Sequence, residues 1–195
     1  MELRRTDLDT DPLRQFRKWF DDAADVVRAR EAMAVATATA EAAPSVRMVL
    51  LKAADERGLV FFTHYTSRKG RELEANPQAA LLFHWDPLGR QVRVEGRVER
   101  VSAEESDAYF ATRPVGARVG ASASRQSEAL SDRGELERRV AELGEGELPR
   151  PQTWGGYRVV PEAWEFWQHR DDRLHDRFRY TRRTGGAWLI ERLYP

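Results

Sequence analysis

The sequence predicts a mainly β fold, a β-barrel with appended helices. Short apolar runs at meander spacing, one long stretch of strict polar–apolar alternation, and helical periodicity confined to a few segments all point that way. The 195 residues, 41% hydrophobic and 10% aromatic, suffice for one core, so the chain reads as a single domain over 1–195. Residues 1–30 form an N-terminal helical segment. Asp11 suits an N-cap and Pro12 the first helical position, and Leu13, Phe16, Trp19 and Phe20 then recur at helical spacing. Strands are expected over 32–39, 46–51 and 59–63, parted by turn-like stretches at 42–44 and 55–58. Two more, 79–85 and 91–101, flank the turn Asp86-Pro87-Leu88-Gly89. Val92, Val94 and Val98 alternate with polar residues, so the second of these buries one face. Helices are expected over 67–75, 103–112 and 132–143. A hydrophilic connector, 144–151, leads into 152–195, with strands over 156–160, 163–168 and 188–193. Strands and helices do not alternate as in a doubly wound sheet, which leaves a barrel or an α+β arrangement.

Lys+Arg and Asp+Glu both number 32, so no net field draws the chain to nucleic acid or an anionic membrane, and neither is expected as a partner. The absence of cysteine excludes disulfides, thiolate nucleophiles and cysteine metal sites. Residues 1–7 contain no apolar signal region, and a soluble cytoplasmic protein is the expectation. Nucleotide-loop, zinc-protease and hydrolase-elbow motifs are missing. The histidines, His64, His84, His169 and His175, lack metal-ligand spacing, so no metal is expected.

The basic residues are more informative. Only Lys18, Lys52 and Lys69 are lysines; the other 29 are arginines. A compact ammonium group differs from a guanidinium fork in reach and hydration, so Lys52, ending an apolar strand, and Lys69 stand out. Ser67 reads as an N-cap, which puts Arg68 and Lys69 in a first helical turn where the helix dipole disfavours cations. Free backbone N–H groups plus those cations suit a phosphate; a solvated basic turn is the plainer alternative. Arg47 and Lys52 sit at odd spacing, on opposite faces of a regular strand, so one strand could serve two sites. In the run 167–177, Arg173 and His175 share a face if the segment is extended, offering a fixed cation beside a group that titrates near neutrality. Asp171, Asp172 and Asp176 could instead pair with the neighbouring arginines. Ser124-Arg125-Gln126-Ser127 offers short polar groups and a cation to an anion.

In this order, the blocks resemble the pyridoxine/pyridoxamine 5′-phosphate oxidase family. They are Arg47-Met48-Val49-Leu50-Leu51-Lys52, Phe61-Phe62-Thr63 with Ser67-Arg68-Lys69, Gly89-Arg90-Gln91-Val92 and Tyr109-Phe110-Ala111-Thr112-Arg113-Pro114. Gln126-Ser127, Trp154-Gly155-Gly156-Tyr157-Arg158, Glu165-Phe166-Trp167-Gln168 and Arg173-Leu174-His175-Asp176-Arg177 complete the set. The resemblance implies an FMN-binding split β-barrel, working as a homodimer with FMN at the subunit interface. It implies that Arg47, Met48, Val49, Leu50, Leu51, Lys52, Phe62, Thr63, Arg68, Lys69, Gln91, Gln126, Ser127, Trp167 and Arg177 hold FMN. It also implies that Lys52, Tyr109 and Arg113 hold the phosphate of a small pyridine substrate. Arg173, Leu174 and His175 would then lie at its ring, with Arg173 and His175 the catalytic pair and His175 a proton acceptor. The implied reaction oxidises pyridoxine or pyridoxamine 5′-phosphate to pyridoxal 5′-phosphate, with hydride passing to flavin N5 and molecular oxygen giving hydrogen peroxide.

Three positions depart from the family pattern: Ala117 for a usual serine, Ser122 for a tryptophan and His169 for a glycine. All fall on the substrate side. The stretches 66–73 and 122–127 also resemble the phenazine-biosynthesis flavin oxidases of the same superfamily, which makes a reduced phenazine-type aromatic the alternative substrate. A non-catalytic flavin or B6-phosphate binding protein is a third reading.

Overall fold

The computed structural model describes residues 2–144 and 148–195. It is an antiparallel, curled sheet with helices against its openings. The strands are β1 (Ala32–Ala38), β2 (Pro44–Leu50), β3 (Ala53–Asp55), β4 (Gly58–His64), β5 (Gln78–Trp85), β6 (Arg90–Arg100), β7 (Trp154–Gln168), β8 (Asp176–Arg182) and β9 (Trp188–Leu193). The helices are α1 (Pro12–Asp22), α2 (Arg68–Ala75), α3 (Ala103–Ala111), α4 (Val115–Ala123) and α5 (Arg133–Leu143). The sheet runs β2-β1-β5-β6-β7-β4-β3, with β8 paired to β7 and β9 to β8. Strands β2 and β3 are consecutive in the chain yet lie at opposite ends of that order, so the sheet must curl round to let the chain pass between them. The passage is made by two residues: Leu51 N–H donates to Glu31 O (2.8 Å) on the β1 side, and Lys52 N–H to Val60 O (2.8 Å) on β4. Lys52 thus stands at the seam, beyond the end of β2. The expected strand 46–51 stops at Leu50, and the opposite-face argument for Arg47 and Lys52 does not hold.

Helix α1 forms as the sequence predicts, with the Asp11 carboxylate accepting from Leu13 N–H. Its apolar stripe plugs the barrel: Phe16 packs on Phe83 at 5.0 Å between ring centroids and on Trp164 at 5.6 Å, and Trp19 meets Phe166 edge-on at 5.2 Å. Burying such rings stabilises by roughly 2–3 kcal/mol each.

One further expectation is corrected, and three elements are added. Residues 156–160 and 163–168 are one strand, β7, because Pro161 sits opposite Gly96 at a bulge where no ladder N–H is required. Strand β8, which is not among the expected strands, buries Phe178 and Tyr180 and exposes Arg179 and Arg182. Helix α4 and strand β3 were not expected either. Of the connector 144–151, residues 145–147 lie outside the described residues. Among the described residues, no helix is long and apolar enough to cross a membrane.

Candidate active site

The first turn of α2 builds one end of the site. The Ser67 hydroxyl caps the helix by accepting from Gly70 N–H (3.3 Å) and donates to His64 O (2.7 Å). Gly70 admits no side chain, since a Cβ there would lie 2.1 Å from Tyr65 O. This close approach fixes the helix start against the end of β4. Lys69 is buried, and its ammonium donates to Thr63 Oγ1 (2.9 Å), Gln126 Oε1 (2.9 Å) and Ser67 Oγ (3.3 Å). All three partners are neutral. Burial, reinforced by the nearby Arg47 guanidinium and opposed by Glu72, lowers its pKa to about 8.

The cations beside it are held differently. Arg68 Nε donates to Glu72 Oε1 (2.8 Å), and Arg47 Nη2 lies 3.3 Å from Glu72 Oε2. Arg47 also reaches the Thr37 and Ser45 hydroxyls, which themselves donate to Glu72. Burial works against ionisation of Glu72. Hydrogen bonds from Ser45, Thr37, Arg68 and Arg47 outweigh it and hold the carboxyl at about 2.

These groups open onto a cavity of about 960 Å³, within the range of a cofactor site. Arg47, Met48, Val49, Leu50, Lys52, Phe62, Thr63, Arg68, Lys69, Gln126 and Ser127 line it, and so do Tyr109 and Arg113. Ala117, one of the departures, lines it as well. Ser127 holds a left-handed φ of 75° there, uncommon for a residue with a side chain. An aromatic wall runs from Tyr109, stacked on Phe62 at 4.0 Å, to Trp154, stacked on Phe62 at 5.3 Å. Arg113 lies over the Trp154 ring at 4.9 Å, and its Nη1 is buried without a hydrogen-bond partner among the described residues. The donor set fits FMN: cations and hydroxyls at the α2 end for a phosphate, and apolar side chains and the Gln126 amide along the cavity for a ring system with polar edges.

The remaining predicted residues gather elsewhere. Gln91, Trp167 and Arg177 are directly opposite one another on β6, β7 and β8, and none of them lines this cavity. Leu51 faces the core. His175 lies against Trp167, with ring centroids 4.6 Å apart, and His169 lies 5.2 Å from His175. His175 Nδ1 accepts from Arg170 N–H (3.1 Å), so a neutral ring carries its proton on Nε2. The segment before β8 is a turn, with Arg173 at φ 64°, so the extended geometry expected for Arg173 and His175 is absent. Of the acidic residues nearby, Asp172 lies 2.9 Å from Arg170 and Asp176 3.3 Å from Arg192, whereas Asp171 meets His169 at 3.3 Å and no arginine among the described residues. Arg173 and Leu174 stay exposed, Arg173 without an ion pair among the described residues. Within one chain the site is therefore in two parts. The sequence reading missed Glu72, Thr37, Ser45 and Trp154. Of these, Glu72 left a signal in its i,i+4 spacing from Arg68, and Trp154 in its place at the head of the block Trp154-Gly155-Gly156-Tyr157-Arg158.

Comparison with known proteins agrees with this geometry. Residues 20–145 match the family described as pyridoxamine 5′-phosphate oxidase, and residues 154–195 match the pyridoxine 5′-phosphate oxidase C-terminal dimerisation region. The pyridoxine/pyridoxamine 5′-phosphate oxidase of Cupriavidus necator is 57% identical over 198 residues, covering 99% of this chain and 93% of that protein. That of Rubrobacter xylanophilus is 58% identical over 192 residues, covering 96% and 88%. Among solved structures, PhzG from Burkholderia lata 383, in complex with tetrahydrophenazine-1-carboxylic acid, is 38% identical with a TM-score of 0.93, covering 100% of this chain and 98% of that one. With both halves of the chain matched and these relatives aligned over nearly its whole length, the chain belongs to the pyridoxine/pyridoxamine 5′-phosphate oxidase family of FMN-dependent oxidases.

Proposed function

We propose that this chain oxidises pyridoxine 5′-phosphate and pyridoxamine 5′-phosphate to pyridoxal 5′-phosphate. One observation carries the reading. A single cavity is lined by five cations; Arg47, Arg68 and Lys69 form a first group around Glu72 and the start of α2, and Lys52 and Arg113 have no bond to that group, which suits two ligands that each bring a phosphate. The first group would hold the phosphate of FMN. Lys52, Arg113 with its unpartnered Nη1, and the Tyr109 hydroxyl would hold that of the substrate. When bound, FMN would supply the two-electron acceptor for oxidation at C4′, with molecular oxygen as final oxidant reduced to hydrogen peroxide, and with water entering and ammonia leaving when the substrate is the amine.

The chain's own residues bind and orient. The substrate phosphate is anchored away from the reacting carbon, so its binding energy fixes C4′ in place. Gln91, Trp167, Arg177, Arg173, Leu174 and His175 would reach the cavity from a second copy of the chain, in a homodimer with FMN at the interface. The match of 154–195 to a dimerisation region supports that assembly. There Arg173 would lie over the pyridine ring, and a neutral His175, with Nδ1 engaged, would donate Nε2–H to the C4′ oxygen or nitrogen, in place of the proton-acceptor role that the resemblance implies.

Lys52→Ala and Arg113→Ala should each raise KM for pyridoxamine 5′-phosphate by about ten- to a hundredfold with FMN content retained. Equal loss of flavin and of substrate affinity would contradict this division of labour.

A second reading, oxidation of a reduced phenazine-type aromatic, is favoured by the likeness to PhzG and by Ala117 on the cavity wall. Retention of Lys52, Tyr109 and Arg113 weighs against it, because a substrate without phosphate does not need all three. Turnover of either class would exclude a merely flavin- or B6-phosphate-binding protein.

A further inference from the structure

We propose that Glu72 is the positioning residue of the phosphate cradle: it fixes the guanidinium groups of Arg47 and Arg68, and so sets the preference of the chain for FMN over a flavin without phosphate. The inference rests on the reading of this end of the cavity as the FMN phosphate site.

Glu72 does not line the cavity, whereas Arg47, Arg68 and Ser45 do. Its side chain is 4% exposed, and every donor it meets belongs to the chain. Oε2 takes the Thr37 and Ser45 hydroxyls and Arg47, and Oε1 takes Arg68. Four of the chain's own donors thus engage this carboxylate, and the burial of its side chain closes it to a ligand. The donors come from three elements: Thr37 from β1, Ser45 and Arg47 from β2, and Arg68 from α2. Thr37 is directly opposite Ser45 in the β1–β2 register. One carboxylate therefore ties the helix start to the strand pair at the point where the cations converge.

Charge balance points the same way. Arg47, Arg68 and Lys69 bring three positive charges to this end and Glu72 one negative, so the excess of two matches a phosphate dianion. A buried carboxylate is costly unless its partners are fixed, and here those partners are cavity-lining cations. Without Glu72, Arg68 has no acceptor among the described residues, and Arg47 keeps only Thr37, Ser45 and Val35 O, the last at 3.4 Å.

The test is to titrate the flavin-free full-length chain with FMN and with riboflavin, following flavin fluorescence, and to compare the ratio of the two Kd values. The wild-type chain should prefer FMN strongly. Glu72→Ala should lower that preference by about tenfold or more while leaving riboflavin affinity within about twofold, and Glu72→Gln should recover part of it. If Glu72→Ala does not fold, Thr37→Val takes its place; it removes one hydroxyl from the network outside the cavity and should lower the preference by about threefold. A folded Glu72→Ala chain with an unchanged or increased FMN preference would overturn the role of Glu72 and leave the cradle standing. A wild-type chain that binds FMN and riboflavin equally would overturn the cradle itself.

Discussion

At the residue scale, Lys69 is where burial and charge conflict most. Its pKa of about 8 lies below the ordinary 10.5, so between those values the folded chain has lost a proton that the unfolded chain keeps. Burying this ammonium therefore costs stability at neutral pH, and the cost is relieved as pH rises through that window. A bound phosphate favours the charged form, so FMN binding above about pH 8 must be accompanied by proton uptake. The affinity of the flavin-free chain for FMN should be flat between about pH 7 and 8 and then fall by up to about tenfold per unit. Lys69→Met should weaken binding and remove this slope, which titrations across the same range would read. Glu72 behaves oppositely. Its carboxyl is held at about 2 against an ordinary 4.5, so its contribution to stability is fully present above 4.5 and is lost as pH falls towards 2. The rarity of lysine drew attention to Lys52 and Lys69 from the sequence. Glu72 went unnoticed because the groups that define it, on β1 and β2, are distant in sequence.

At the scale of elements, periodicity and capping made α1, α2, α3, α5 and most strands legible. What failed to show was what depends on pairing. Pro161 reads as a break until Gly96 is found opposite it. The Asp176–Arg182 strand is not announced by any apolar run and is defined by its two ladders, to β7 and β9. The start of α2 carries a prediction of its own. Gly70→Ala would drive a Cβ to 2.1 Å from the Tyr65 carbonyl, so the helix must move away from β4. The change should destabilise the chain by about 2–3 kcal/mol, read as a lower Tm, and cost it most of its bound FMN. Unchanged stability and flavin content would mean that the contact between α2 and Tyr65 does not set the cradle.

For the whole molecule, the two-part distribution of site residues is the main finding. The cavity residues and the Trp167–His175 cluster sit apart within one chain, and the resemblance groups them in one site. A two-fold dimer would join the cavity of each copy to the cluster of the other. Co-assembling Lys69→Ala and Arg173→Ala chains tests this, because each mixed dimer then has one undamaged site and one doubly damaged site. Random mixing should restore about a quarter of wild-type activity, although each variant alone is nearly inactive. No restoration would place both parts in one chain's site. The sequence could list both sets of residues through the family resemblance, but nothing in its spacing says which set belongs to which copy.

The most direct test of the central claim is the visible spectrum of the purified holoprotein when pyridoxamine 5′-phosphate or pyridoxine 5′-phosphate is added without oxygen. The flavin band should bleach, pyridoxal 5′-phosphate should form in equal amount, and the colour should return in air with hydrogen peroxide. A flavin band that neither compound bleaches, in a protein that a reduced phenazine carboxylate does bleach, would contradict the proposed substrate.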